Sequence, residues 1–331
     1  MSALLEITDL DLTVHRPDGP RRILESVSLS VHAGEAVGLV GESGSGKSMT
    51  ARSAMRLLPS SAKVTGSITF DGRSVLDMSE RDLRAFRHRD VSMIFQDPRA
   101  AINPVRTIGD FLTESLRRHR RLPSREATAR ATRALDEVRI SEPVRRLRQY
   151  PHELSGGMLQ RVMICAALLS DARVILADEP TTALDVTTQA EVVGILDELR
   201  RGHGLGMLFI THDLELATAM CDRIYVMYAG RIVETRAAAE FEARANHPYS
   251  AALFAARPEL GHFVPRLPAI PGRPIAAFEA GSGCAFADRC SFAESECRSE
   301  PIALRDIHNG QVRCRRAGDP VVVAGLSEGR R

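Results

Sequence analysis

Lysine is almost missing from this chain. Of 44 basic side chains among 331 residues, only Lys47 and Lys63 are lysines and every other one is arginine. So even a bias reads as codon usage, and each surviving lysine asks for a local reason. An excess of charge is missing too, because 42 acidic groups nearly cancel the basic ones. A nucleic-acid binder normally carries a strong positive field, so no DNA or RNA partner is expected. The opening MSALLEITDLDL lacks a basic stretch followed by an apolar one; it is not read as a secretory signal, and a cytoplasmic location is expected. No apolar run approaches the ~20 residues that cross a bilayer, the longest beside a helical pattern being Val162 to Leu169. Action at a membrane would therefore require docking onto other subunits. Internal repeats are absent as well. What is there is 44% hydrophobic content, enough for one large α/β core and a smaller second domain.

Short β-branched runs mark the first part: Leu5 to Asp9, Ser26 to Val31, Ala36 to Val40, Val64 to Phe70 and Val91 to Phe95, separated by Gly, Pro and Asp turn signals. From Asp110 to Arg148 the pattern is helical and arginine-rich, with RRHRR at 117–121 and RRLR at 145–148, read as solvated helix faces. Apolar helices (Arg161 to Leu169, Gln189 to Arg201) then alternate with buried strands (Val174 to Ala177, Met207 to Thr211, Arg223 to Tyr228), the rhythm of a parallel sheet. Beyond Arg236 that rhythm stops, and five prolines between Arg257 and Pro274 suggest an extended linker into a cysteine-rich tail.

The chemistry begins at GESGSGKS, Gly41 to Ser48, set between the strand EAVGLV and a helical stretch starting near Met49. That context is what GxxxxGK[ST] requires to be a phosphate loop. Gly41, Gly44 and Gly46, with Ser43 and Ser45 between them, let backbone N–H groups wrap a polyphosphate, and the following helix adds its positive end. Lys47 reaches the β- and γ-phosphates and the Ser48 hydroxyl takes Mg²⁺; Met49 continues the cradle. A second apolar strand, VILADEP, ends in Asp178 and Glu179. Alternation sends neighbouring side chains different ways, so Asp178 can face Mg²⁺ while Glu179 faces the attacking water.

With Leu154-Ser155-Gly156-Gly157-Met158-Leu159-Gln160-Arg161 the chain resembles the ABC ATPases, whose signature this segment matches. The order of Walker A, Gln96 in IFQDP, signature, Walker B, an ALD segment at Ala183–Asp185 and His212 in ITHDL resembles the whole set across residues 1 to about 235. The fold this implies is an α/β P-loop NTPase of the ABC nucleotide-binding type over residues 1–240, with a helical subdomain at about 97–165. Resemblance assigns Gln96 to linking Mg²⁺ and water with the membrane partner, Asp185 to communication across a dimer, and His212 to the γ-phosphate. Ser155, Gly156, Gly157 and Gln160 would form a second phosphate-binding helix start that closes on ATP held by another subunit. The segment Asp97 to Thr107 would receive a permease helix. Where the family places an aromatic residue on adenine this chain reads Thr13-Val14-His15-Arg16-Pro17, leaving open whether His15 or Arg16 stacks on the ring or the segment is a plain surface turn.

The tail, with HPYS at 247–250, LPAIPGRP at 267–274 and GCAFADRC at 283–290, resembles the C-terminal extension of oligopeptide and dipeptide importer ATPases. Residues 241–331 are thus expected to form a small loop-rich, cysteine-containing domain. The implied function is ATP hydrolysis driving peptide import at the cytoplasmic face of the membrane. Implied partners are a second ATPase (a homologue or a second copy), two transmembrane permeases and an extracytoplasmic solute-binding protein. A nickel or other small-solute importer is the alternative, and an ABC ATPase outside transport the remote one. Cys284, Cys290, Cys297 and Cys314 fall in the tail with five, six and sixteen residues between them and no CxxC, unlike the usual structural zinc pattern. In a reducing compartment disulfides are disfavoured. The expectation is a [4Fe–4S] cluster on four soft thiolates, which some members of the resembled family carry, with zinc and four free thiols as the alternatives.

Overall fold

The structure, a computed structural model, describes residues 2–182, 184–256 and 270–328. Ala183 of the ALD segment and residues 257–269 of the expected proline-rich linker lie outside the described residues. The chain divides into two compact units, each drawn from several stretches.

One unit comprises Glu6–Ser30, Val37–Thr69 and Thr211–Arg331. Its hairpin of two long strands, Leu5–Arg16 and Gly19–Val31, neighbours the strand Ala62–Phe70. Both hairpin strands bury alternate apolar residues, among them Ile7, Leu10, Leu12, Leu24, Val27 and Leu29, as a sheet with one covered face requires. Of the two alternatives for this segment, the plain turn does not hold at His15, since the strand runs through Arg16. A second group of strands starts with Ala36–Val40, whose five residues are all buried. It lies parallel to Arg223–Tyr228, which pairs antiparallel with Arg231–Ala237.

Beyond Arg236 the βαβ rhythm gives way to short antiparallel strands. Gly310–Val312 pairs antiparallel with Arg231–Ala237, and Arg305–Ile307 pairs with Gly310–Val312. The tail therefore adds strands to the sheet and shares its core: Tyr228, Tyr249 and Phe286 stack with ring centroids 4.7 to 5.4 Å apart. Three-residue strands carry little period-2 signal, so pattern reading misses them.

The other unit comprises Met1–Leu5, Val31–Ala36 and Phe70–Ile210. Val91–Ile94, Val174–Asp178 and Gly206–Thr211 lie parallel in that order. The middle strand is buried on both faces, as parallel strands covered by helices are. In the expected helical region the helix Ser124–Glu137 packs on both Ile108–Arg118 and Gly156–Leu169. Spacing explains the contact, since Ala127, Ala131, Ala134 and Leu135 fall on one face and are buried. No helix among the described residues is long and apolar enough to cross a membrane.

Candidate active site

In the first unit the phosphate loop runs from the strand Ala36–Val40 into the helix Lys47–Ala54. Gly46 caps that helix at φ 110, where an L side chain is strained, and a Cβ there would come within 2.8 Å of Leu24 Cδ2. At Gly41 a Cβ would meet the Met227 carbonyl oxygen at 2.2 Å, so the chain can enter the loop only through glycine. Ser43 and Gly44 are exposed, Ser45 is buried, and Ser48 and Met49 are half-buried in the first helical turn. Lys47 is buried, its Nζ donating to the carbonyl oxygens of Gly41 (2.7 Å) and Glu42 (3.0 Å). The ammonium thus folds onto its own loop, which holds the cation at the place where phosphate oxygens are to be met. His212 is exposed just past the strand Gly206–Thr211, and Asp213 caps the next helix, Leu214–Met220. His15 is exposed near the end of its strand.

In the second unit the strand Val174–Asp178 ends on one of two adjacent carboxylates. Asp178 is buried at the strand end, whereas Glu179 is half-exposed with φ 47. A non-glycine residue in the left-handed region is uncommon, and here two side chains hold what it aims. Gln96 Nε2 donates to Glu179 Oε2 at 2.9 Å and Thr182 Oγ1 donates to the same oxygen at 2.8 Å. The Glu179 N–H is tied to the Ile210 carbonyl. Strand alternation predicts the divergence of Asp178 and Glu179; a switch of backbone region accomplishes it. Thr182 was not among the sequence candidates, although its place three residues after Glu179 is a local signal that could have found it.

The signature also lies in this unit. Ser155 is the N-cap of Gly156–Leu169, its hydroxyl accepting the Met158 N–H at 3.3 Å. Ser155 and Gly156 are exposed and Gly157 half-buried, so the helix start is open to an anion. Gln160 is buried and belongs to the inner face of that helix. Asp185 caps Val186–His203, accepting from the Thr188 N–H and hydroxyl at 3.0 and 2.7 Å. These bonds hold its carboxyl below the usual carboxylate range.

The four tail cysteines converge in the first unit on one cavity of about 20 Å³, lined also by His247, Phe286, Phe292 and Ile302. All are free thiols. Burial pushes Cys284 and Cys314 up to about 11 and raises Cys290, with neighbouring cysteines adding to each effect. Among the described residues no group of three or more His, Cys, Asp or Glu is arranged so that it could hold a metal ion. The lining of the pocket is mainly apolar, with the four sulfurs as its soft donors.

Sequence reasoning also passed over the surroundings of Glu42. Its carboxylate is held by Arg289 at 2.6 and 3.1 Å and its N–H by the Tyr249 hydroxyl at 2.9 Å. No spacing signal could reveal partners more than 200 residues away along the chain.

Comparison with known proteins shows the family. A family model described as ABC transporter matches residues 24–182, and one described as oligopeptide/dipeptide transporter, C-terminal region, matches residues 233–297. The chain is 43% identical over 300 residues to the oligopeptide transport ATP-binding protein OppD of Salmonella typhimurium, covering 91% of this chain and 90% of that protein. It is 44% identical over 315 residues to the probable D,D-dipeptide transport ATP-binding protein DdpD of Escherichia coli, covering 94% and 95%. Among solved structures, the ATP-binding cassette MJ0796, a dimer bound to ADP and Pi, aligns with a TM-score of 0.64 at 27% identity, covering 71% of this chain and 98% of that one. CbiO1 of Clostridium perfringens aligns with a TM-score of 0.63 at 26% identity, over 74% and 92%.

Proposed function

The chain belongs to the ABC transporter family, among ATP-binding subunits with the oligopeptide/dipeptide transporter C-terminal region, and from that premise we propose that its ATPase activity powers import of oligopeptides or dipeptides. The observation that carries the hydrolytic reading is Glu179, a half-exposed carboxylate fixed by Gln96 and Thr182 one residue beyond the buried Asp178. Such an acid can accept a proton from a water as that water attacks the γ-phosphorus and the bond to the β,γ-bridging oxygen breaks. In this reading Lys47 and the backbone N–H groups of residues 41–48 hold the phosphates, and His212 senses the γ-phosphate. Ser48, Gln96 and Asp178 would hold Mg²⁺, which when bound draws charge from the phosphate oxygens. All three residue types suit a hard cation: hydroxyl and amide oxygens and a buried carboxylate.

The helix start at Ser155, Gly156 and Gly157 lies in a chain that already has one phosphate cradle. Its use in a second subunit, closing on that subunit's ATP, accounts for the duplication. Residues 1–240 would act as the nucleotide-binding domain, with the helical subdomain at about 97–165 docking a permease, one of two in the assembly. An exposed Val105 (79% exposed), next to Asn103, supports docking there. The partner ATPase, an extracytoplasmic peptide-binding protein and a cytoplasmic-face location complete the proposal. His15 remains the adenine-facing candidate, with an exposed imidazole able to stack.

For the tail we propose that Cys284, Cys290, Cys297 and Cys314 hold a [4Fe–4S] cluster in a structural role. What supports it is their convergence on one dry pocket. Anaerobically purified protein should contain about four irons per chain. Stoichiometric zinc would replace the cluster with an ion, and metal-free protein with four titratable thiols would refute both.

Reconstitution in proteoliposomes with the two permeases and the binding protein tests the function. Peptide should stimulate ATP hydrolysis and accumulate in the lumen, and Glu179→Gln should stop both. ATP turnover without peptide uptake would refute the import reading.

A further inference from the structure

Glu42, inside the phosphate loop, has all three of its polar groups held. Lys47 Nζ donates to its carbonyl oxygen, and its own N–H donates to the Tyr249 hydroxyl. Its carboxylate receives both terminal nitrogens of Arg289, Nη1 at 2.6 Å and Nη2 at 3.1 Å. Lys47 belongs to the loop, but Tyr249 lies in the HPYS segment and Arg289 in the GCAFADRC segment of the tail. The guanidinium is itself anchored. Its Nε donates to the Pro271 carbonyl at 2.7 Å, Nη1 also reaches the Tyr228 hydroxyl at 3.3 Å, and the Phe286 and Tyr228 rings flank it at 5.6 and 5.7 Å. Arg289 is 8% exposed and the Glu42 side chain 22%, so this is a part-buried, two-point ion pair and not a surface contact.

Two consequences follow from the charge. A bare carboxylate at Glu42 would stand in the same loop as a polyphosphate and repel it; paired with Arg289 it does not. The pair also fixes the direction of the Glu42 backbone, whose carbonyl is one of the two oxygens holding Lys47. We propose that the tail is a clamp on the phosphate loop, with Arg289 and Tyr249 as positioning residues for nucleotide binding that act through Glu42. This rests on the ATP-site reading above. The C-terminal extension then has a part in the motor itself, which a separate appended domain would not.

The test is binding of a fluorescent ATP analogue with Mg²⁺ to the purified chain, alongside ATPase kinetics. Arg289→Met should weaken binding about ten-fold at low salt, less at 0.5 M salt because screening weakens charge repulsion, and should raise KM while leaving kcat within about two-fold. The double variant Glu42→Gln/Arg289→Met, which removes both charges, should recover binding to within about three-fold of wild type. Tyr249→Phe should weaken binding by about three-fold. Thermal unfolding without nucleotide reports whether each variant is folded, and the double variant supplies the answer if Arg289→Met alone is not. Wild-type affinity in Arg289→Met, or a double variant as weak as the single, overturns the clamp. Lys47→Ala separates the two failures: its loss of binding keeps the ATP site while the clamp falls, whereas wild-type binding by Lys47→Ala removes the site and the clamp together.

Discussion

His247 is the residue whose perturbation can be worked most fully from its surroundings. It is 1% exposed, caps the helix Pro248–Ala255 and accepts the Tyr249 N–H on Nδ1 at 3.1 Å. Burial drives its pKa down from the ordinary 6.5 to about 3, because a charged imidazolium there would be dry and would lose its acceptor nitrogen. At pH 7.5 the ring is neutral in both folded and unfolded chains and costs nothing. As pH falls below about 6.5 the unfolded chain takes up the proton and the folded one does not, so stability declines by about 1.4 kcal/mol per pH unit. The decline ends near pH 3, where the folded ring also protonates, for a total of about 5 kcal/mol. His247→Asn removes the titration while an Asn oxygen can still cap the helix. Glu234 accepts the backbone N–H of residue 247 at 2.9 Å, and its carboxyl is raised by burial. It acts in the opposite sense, but it is common to both proteins and cancels in the difference. Urea unfolding followed by circular dichroism from pH 7.5 to 4.5 should show wild type losing stability about 1 kcal/mol per pH unit faster than His247→Asn below pH 6. Parallel curves would refute the buried, neutral assignment.

Glu179→Gln should keep ATP binding, since Gln can still accept from Gln96, while single-turnover hydrolysis slows at least ~100-fold, the scale of losing a positioned general base. Rapid-quench measurement of phosphate release checks this. Gly46→Ala combines a φ of 110 with a 2.8 Å approach to Leu24; it should cost about 2–4 kcal/mol of stability, read as a lower thermal midpoint, and abolish nucleotide binding. Asn103→Arg should leave ATP binding intact and cut peptide uptake in proteoliposomes by at least about five-fold, the scale on which a charge at an apolar interface acts. Unchanged uptake would move the docking surface elsewhere.

Much of this protein was legible before any coordinates. The phosphate loop, the carboxylate strand and the signature are each a strand or loop running straight into a helix within about ten residues. Their chemistry depends on local backbone geometry, which glycine spacing, capping residues and apolar runs encode directly. The αβ rhythm from 160 to 235 was readable for the same reason. Tertiary structure alone decided the rest. The short strands Arg305–Ile307 and Gly310–Val312 exist because Arg231–Ala237 offers them an edge, and three residues lack enough pattern to announce that. The left-handed turn at Glu179 is held by Gln96 from another strand end. Packing alone gathered the tail thiols round one pocket while leaving them short of a metal-ready geometry. The ion pair of Glu42 with Arg289 spans 247 residues of chain, and what selects such a pair is the desolvated geometry of the folded core, a property that no local run of sequence contains.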